Sequence, residues 1–222
     1  MEFKGASVEF IGHAGFLITL GKKTIAIDPY AISSQIAAVD YILITHSHYD
    51  HCSIKDIMQL AKPKTVIITP PDAQSKITKL PDVQMQVVEV GDQIDLTDFK
   101  LEVLPAYNLD KEFHPKSESW HGYLIKYHNF ILYHAGDTDR IPEMNRLSGY
   151  GKKGNEFVAL LPVSGTYVMS AEEAASVASL LKPTLAIPMH YGSGVAGNIE
   201  DALRFVKLCK SKGIAATTLE KK

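Results

Sequence analysis

The chain is poor in the residues that mark several common protein classes. Of its 222 residues only two are cysteines, Cys52 and Cys209. That excludes a disulfide scaffold and a four-cysteine zinc finger, and makes a reducing cytoplasm the default compartment. No apolar run approaches the roughly 18 residues that cross a bilayer, so no membrane span is expected. The opening Met1-Glu2-Phe3-Lys4-Gly5 lacks the basic, apolar and small-residue regions of a secretory signal. Neither sign of charge dominates: 23 Lys+Arg against 25 Asp+Glu leave a net −2. That balance argues against a broad surface for nucleic acid or anionic lipid. With no low-complexity linker to divide it, the chain reads as one domain over residues 1–222. Its 45% hydrophobic content is enough for a sizeable buried core.

What is present is an alternation of strand and helix patterns. Apolar, β-branched segments predict strands at 7–10, 16–20, 24–27, 41–45 and 65–69, and again at 100–104, 122–127, 130–133, 157–161 and 185–188. Ser53 is placed to cap a helix over 54–61, ended by Pro63. Ser170 and Glu173 form a capping box for a helix to about Leu181, ended by Pro183. Asn198 caps a last helix with Ala202, Phe205, Val206 and Cys209 at helical spacing. Residues 111–120 and 148–155 read as loops. The run from Tyr41 to His46 has a weak echo in the run from Ile131 to Asp137. The pattern implies an α/β fold with polar residues gathered at strand ends, where open sheets place their sites.

Nine histidines stand out, three of them within Thr45-His46-Ser47-His48-Tyr49-Asp50-His51. This cluster follows an apolar strand and precedes a helix. In an extended segment His46 and His48 project the same way and can reach one metal ion. As the chain turns, Asp50 and His51 can swing toward a second ion. Nitrogen and oxygen ligands suit zinc, manganese or iron.

His-x-His-x-Asp-His after a strand resembles the signature of the metallo-β-lactamase superfamily. Gly136-Asp137-Thr138 and Pro188-Met189-His190-Tyr191 extend the resemblance in order and spacing. Ile11-Gly12-His13-Ala14-Gly15-Phe16, Ile27-Asp28-Pro29 and Tyr133-His134-Ala135-Gly136-Asp137-Thr138 resemble its ascorbate-6-phosphate lactonase-like branch. The resemblance implies a four-layered αβ/βα sandwich and two divalent ions, zinc first, with manganese or iron as alternatives. It implies that His46 and His48 bind the first ion and Asp50 and His51 the second. Asp137 would bridge the two, and His190 would complete the second site.

One position departs from the pattern. Asn108 falls where the resemblance implies a further histidine, in Leu104-Pro105-Ala106-Tyr107-Asn108. His114 is the favoured substitute, with Asn108 itself or water as alternatives and His121 behind them. His13, Tyr107 and Tyr191 are candidates to hold substrate, with Lys116 beside them. Asp28 is a candidate acceptor for a ligand imidazole, and His134 a candidate support for a ligand. His128 reads as a solvated hairpin residue and Cys52 as a small buried one.

The expected function is metal-dependent hydrolysis. A metal-bridging hydroxide, with Asp50 helping to orient it, would attack a small-molecule ester, lactone or phosphoester. Rival readings are a nuclease or phosphodiesterase acting on nucleic acid, a di-iron redox protein and a non-catalytic metal-binding module. The short chain has neither a basic run nor a fused flavin segment to favour the first two.

Overall fold

The computed structural model describes residues 1–152 and 154–222. Lys153, inside the loop expected at 148–155, lies outside the described residues. The chain divides into two compact units, Met1–Glu89 with Glu220–Lys222, and Val90–Leu219.

In the first unit β1 (Glu2–Phe3), β2 (Ala6–Gly12), β3 (Gly15–Leu20) and β4 (Lys23–Ile27) form an antiparallel meander. Onto it β5 (Tyr41–Leu43), β6 (Val66–Thr69) and β7 (Gln84–Val87) add in parallel. Ile25, Ala26 and Ile27 are buried in succession, as in strands covered on both faces. The crossover from β5 to β6 carries α1 (Ile54–Leu60). Its Ile57 and Leu60 are buried in one cluster with Ile42, Ile44, Ile67 and Ile77. Each such side chain contributes on the order of 1.5–3 kcal/mol by leaving water. Ile77 belongs to the short α2 (Gln74–Ile77).

Ser53 occupies the cap position of α1 but does not cap it as expected. Its hydroxyl donates to Asp56 Oδ2 at 2.5 Å and accepts nothing from the helix backbone. Asp56 is buried and also accepts from the N–H groups of Ala31 and Ile32, at 3.0 and 3.2 Å. The serine thus serves a carboxylate that ties the loop after β4 to the helix.

In the second unit β8 (Gln93–Asp95), β9 (Lys100–Pro105), β10 (His121–Tyr127) and β11 (Phe130–His134) form the meander. β12 (Glu156–Pro162) and β13 (Leu185–Met189) continue from β11 in parallel. Pro188 is tolerated because β13 ends the sheet order. Two helices, α3 (Ala171–Leu181) and α4 (Ile199–Ser211), pack on each other, α3 also on β12 and α4 on β13. Both begin with full capping boxes, Ser170 with Glu173 and Asn198 with Asp201. α4 turns Ala202, Phe205, Val206 and Cys209 inward, the four positions its spacing predicts.

All ten strands expected from the sequence form, and the echo between the halves has a structural counterpart. Each unit runs an antiparallel meander into parallel strands, so the fold is mixed α/β with two sheets. In the first unit Asp28 leaves the carboxyl end of β4, and Thr45-His46 follows β5. In the second, Asp137 follows β11, Ser164 follows β12 and His190 follows β13.

Candidate metal centre

The first unit builds its cluster around Asp28, which is fully buried. Its Oδ1 accepts from the Thr45 N–H at 2.8 Å, and its Oδ2 from the Thr45 hydroxyl at 2.6 Å. Oδ2 also accepts from His51 Nδ1 at 2.8 Å. Because the Thr45 hydroxyl spends its proton on Asp28, its oxygen accepts from His46 Nδ1, 3.0 Å away. One carboxylate therefore fixes two imidazoles with Nδ1 protonated and leaves both Nε2 atoms as lone-pair donors. Nε2 of His46 lies 3.0 Å from Nδ1 of His48. Nε2 of His51 faces the Asp50 carboxylate, 3.5 Å from Oδ2. Asp50 itself is held by His13, whose Nε2 lies 2.8 Å from the same Oδ2. The backbone around His48 is clamped as well: the Ser47 N–H donates to Asp72 and the Ser47 carbonyl accepts from Lys76.

The second unit builds its cluster around Asp137. Oδ2 of Asp137 lies 3.2 Å from His114 Nε2 and 3.1 Å from His190 Nε2. Nδ1 of His114 is 3.0 Å from the Tyr167 carbonyl, which can only accept, so Nδ1 carries the proton and Nε2 the lone pair. Nδ1 of His190 pairs with the Ser164 hydroxyl at 3.0 Å. The turn that presents Asp137 is tightly made. Gly136 has φ +66, and a Cβ there would come within 2.7 Å of the His121 carbonyl. The Gly136 N–H donates to His134 Nδ1 at 3.2 Å. Next along, Thr138 accepts from the Tyr107 N–H at 3.2 Å and donates to its carbonyl at 3.0 Å.

These donors fit a divalent cation. In the first unit imidazole lone pairs and a carboxylate converge; in the second an imidazole lone pair faces a carboxylate oxygen, an arrangement a cation reconciles. Two non-glycine residues of the first unit's cluster, His13 and Asp28, have positive φ values of 56 and 44°, and two of the second unit's, His114 and His190, of 59 and 64°. Such backbone costs on the order of 1 kcal/mol per residue and is kept where the surroundings determine it. Ser164 and the Tyr167 carbonyl were not foreseen from the sequence. Ser164 follows strand β12 as Asp137 follows β11, so the same strand-end rule would have found it.

The remaining candidates are distributed differently. The Tyr107 hydroxyl donates to Glu143 at 2.9 Å and accepts from Lys116 at 3.2 Å. Burial and the bond to Glu143 raise the Tyr107 phenol. Burial alone would raise Glu143, but its hydrogen bonds, including those from Lys116 and Tyr107, outweigh it and hold the carboxyl below the usual range. Tyr191 is buried, and burial pushes its phenol up to about 12. His121 pairs with the Tyr123 hydroxyl at 2.9 Å, and His128 is exposed at the hairpin between β10 and β11. Cys52 is buried in the apolar cluster of the first unit, with its thiol pushed up to about 11 by burial.

Comparison with known proteins sets these clusters in a family. Residues 7–190 match the family model described as "Beta-lactamase superfamily domain". A UPF0173 metal-dependent hydrolase of Thermococcus kodakarensis is 36% identical over 204 residues, 84% of this chain and 84% of that protein. Another from Nanoarchaeum equitans is 30% identical over 219 residues, 96% of each chain. Among solved structures, a protein of Parabacteroides distasonis classed as a metal-dependent hydrolase superposes with a TM-score of 0.82. It is 29% identical, with 98% of this chain and 94% of that one covered. The fold is accordingly that of the metallo-β-lactamases, and the chain belongs to the UPF0173 metal-dependent hydrolase family of that superfamily.

Proposed function

We propose that the chain hydrolyses a small organic ester, lactone or phosphoester with two divalent ions, zinc first. His46, His48 and His114 are the ligands assigned to one ion, and Asp50, His51 and His190 to the other. Asp137 is shared. The observation that carries this reading is the acceptor held against Nδ1 of three imidazoles. Thr45, Asp28 and the Tyr167 carbonyl hold Nδ1 protons on His46, His51 and His114, reserving Nε2 for a Lewis acid. Bound divalent ions would supply acidification of water and neutralisation of charge on a developing oxyanion.

The chain's own residues prepare the rest. His13 holds one oxygen of Asp50, so that the carboxylate can orient an attacking water. Tyr191 is retained as a substrate-side residue, whereas His13 acts through Asp50 and Tyr107 serves the Asp137 turn through its main chain. Lactones stand first among substrates because the segment from Ile11 to Phe16 resembles the ascorbate-6-phosphate lactonase-like branch. A small molecule is favoured over nucleic acid by the cations flanking His114. Lys111 pairs with Asp139 and Lys116 with Glu143, so neither offers spare charge to a phosphate backbone. Two free, buried cysteines support a reducing cytoplasm.

Elemental analysis of the purified protein, with hydrolysis of a panel of lactones, carboxyl esters and phosphodiesters, tests this reading. The expectation is two ions per chain, hydrolysis abolished by a chelator, and metal lost in His48→Ala and His190→Ala. Two ions retained in His48→Ala would sink it.

A further inference from the structure

Asn108 stands six residues before His114 and is buried, with 5% of its surface exposed. Its side-chain Nδ2 donates to the Phe113 carbonyl at 2.7 Å and to the Tyr167 carbonyl at 2.6 Å. Its main-chain N–H donates to the His114 carbonyl at 2.7 Å. Tyr167 O is the same oxygen that receives the Nδ1 proton of His114. The two flanking carbonyls settle which end of the amide is nitrogen, since an oxygen there would face two acceptors. Among the described residues nothing donates to Asn108 Oδ1. A buried acceptor with no donor is a cost that an apolar side chain of similar size would not carry. What an apolar side chain could not do is span the two carbonyls.

We propose that Asn108 is a positioning residue for His114. Its amide group ties the loop that carries His114 to the segment around Tyr167. Two of its N–H donors hold the flanking carbonyls in place, so the Tyr167 oxygen is aimed at His114 Nδ1 and the ring is fixed with Nε2 toward Asp137. Asparagine suits the task because one planar NH2 offers two donors, where a histidine at the same place offers at most one per nitrogen. This rests on His114 being a ligand, as proposed above.

The test uses the full chain, stripped of metal by a chelator and titrated with Co(II). The readouts are the visible absorption of the bound ion, the number of ions bound and thermal unfolding. Asn108→Leu removes the orphaned acceptor together with the donors, and Asn108→Asp keeps the size while placing an acceptor against two carbonyls. Both are expected to bind one Co(II) about ten- to a hundredfold more weakly, with an altered spectrum, while unfolding cooperatively. Added to His114→Ala, either change is expected to have no further effect on Co(II) binding. Wild-type Co(II) binding in Asn108→Leu or Asn108→Asp would overturn the proposal. So would an additive loss in the His114→Ala background, or loss of cooperative unfolding, which would make Asn108 a residue of the fold instead of the ligand. If His114→Ala alone leaves Co(II) binding intact, the ligand assignment itself fails, and this inference with it.

Discussion

Oδ2 of Asp28 lies 2.8 Å from His51 Nδ1 and 2.6 Å from the Thr45 hydroxyl, so one buried carboxylate aims two imidazoles. Asp28→Asn keeps the volume but turns an acceptor into a donor at whichever oxygen it replaces, against groups that already donate. Metal affinity should fall by about ten- to a hundredfold. Stability of the metal-free protein should fall by about 1–3 kcal/mol, because buried donors lose their acceptor. Metal titration and thermal unfolding of the same variant measure the two effects separately.

Much of this arrangement was legible from strand patterns, because apolar runs ending in polar clusters can mean little else. The hairpin turn at His128-Asn129 and the caps at Ser170 and Asn198 belong to that readable part. β7 and β8 were missed for a physical reason. Gln84-Met85-Gln86-Val87 and Gln93-Ile94-Asp95 are largely exposed strands with no apolar run to announce them. The backbone at His13, Asp28, His114 and His190 was equally hidden, since left-handed φ at non-glycine residues is imposed by tertiary contacts. Asn108 is visible in the sequence pattern, but its bond to the Tyr167 carbonyl depends on a segment 59 residues away.

The three caps should respond differently to substitution. Ser170→Ala and Asn198→Ala each remove a side-chain acceptor from a helix start and should cost about 1 kcal/mol. Asp is a good cap in general, yet Ser53→Asp should destabilise the protein, because it sets a second carboxylate against Asp56. Urea-unfolding midpoints of the three variants would check the contrast; an unchanged midpoint in Ser53→Asp would contradict it.

Metal removal should be visible as lost stability as well as lost hydrolysis. An ion that binds only the folded chain stabilises it by about 4 kcal/mol at a thousandfold excess over its Kd. Dialysis against a chelator should lower the thermal midpoint, and adding Zn(II) back should restore it. An identical midpoint before and after chelation would count against the assigned ligands.

Cys209 is fully buried on α4, and burial pushes its thiol up to about 12. The folded state favours the neutral thiol. Its contribution to stability is complete below the unfolded thiol's value of about 8.5 and is lost as pH rises from there toward 12. Neither Cys209 nor Cys52, which is also buried, should react with a disulfide reagent at pH 8 in the native protein. Both should react fully in denaturant, which absorbance of the released thiolate reports.

The bond of 2.8 Å between His13 Nε2 and Asp50 Oδ2 separates two roles for His13. A residue that only touches substrate affects KM when removed, whereas one that holds Asp50 affects kcat. With its side chain buried and its Nε2 held on Asp50, His13 should show the second behaviour. His13→Ala and His13→Asn should each lower kcat by about tenfold or more, with KM little changed, on whichever ester or lactone is turned over fastest. The backbone divides the pair further. At φ +56° asparagine is tolerated and alanine is strained, so His13→Asn should unfold at the higher temperature. A raised KM with unchanged kcat in both variants would return His13 to the substrate.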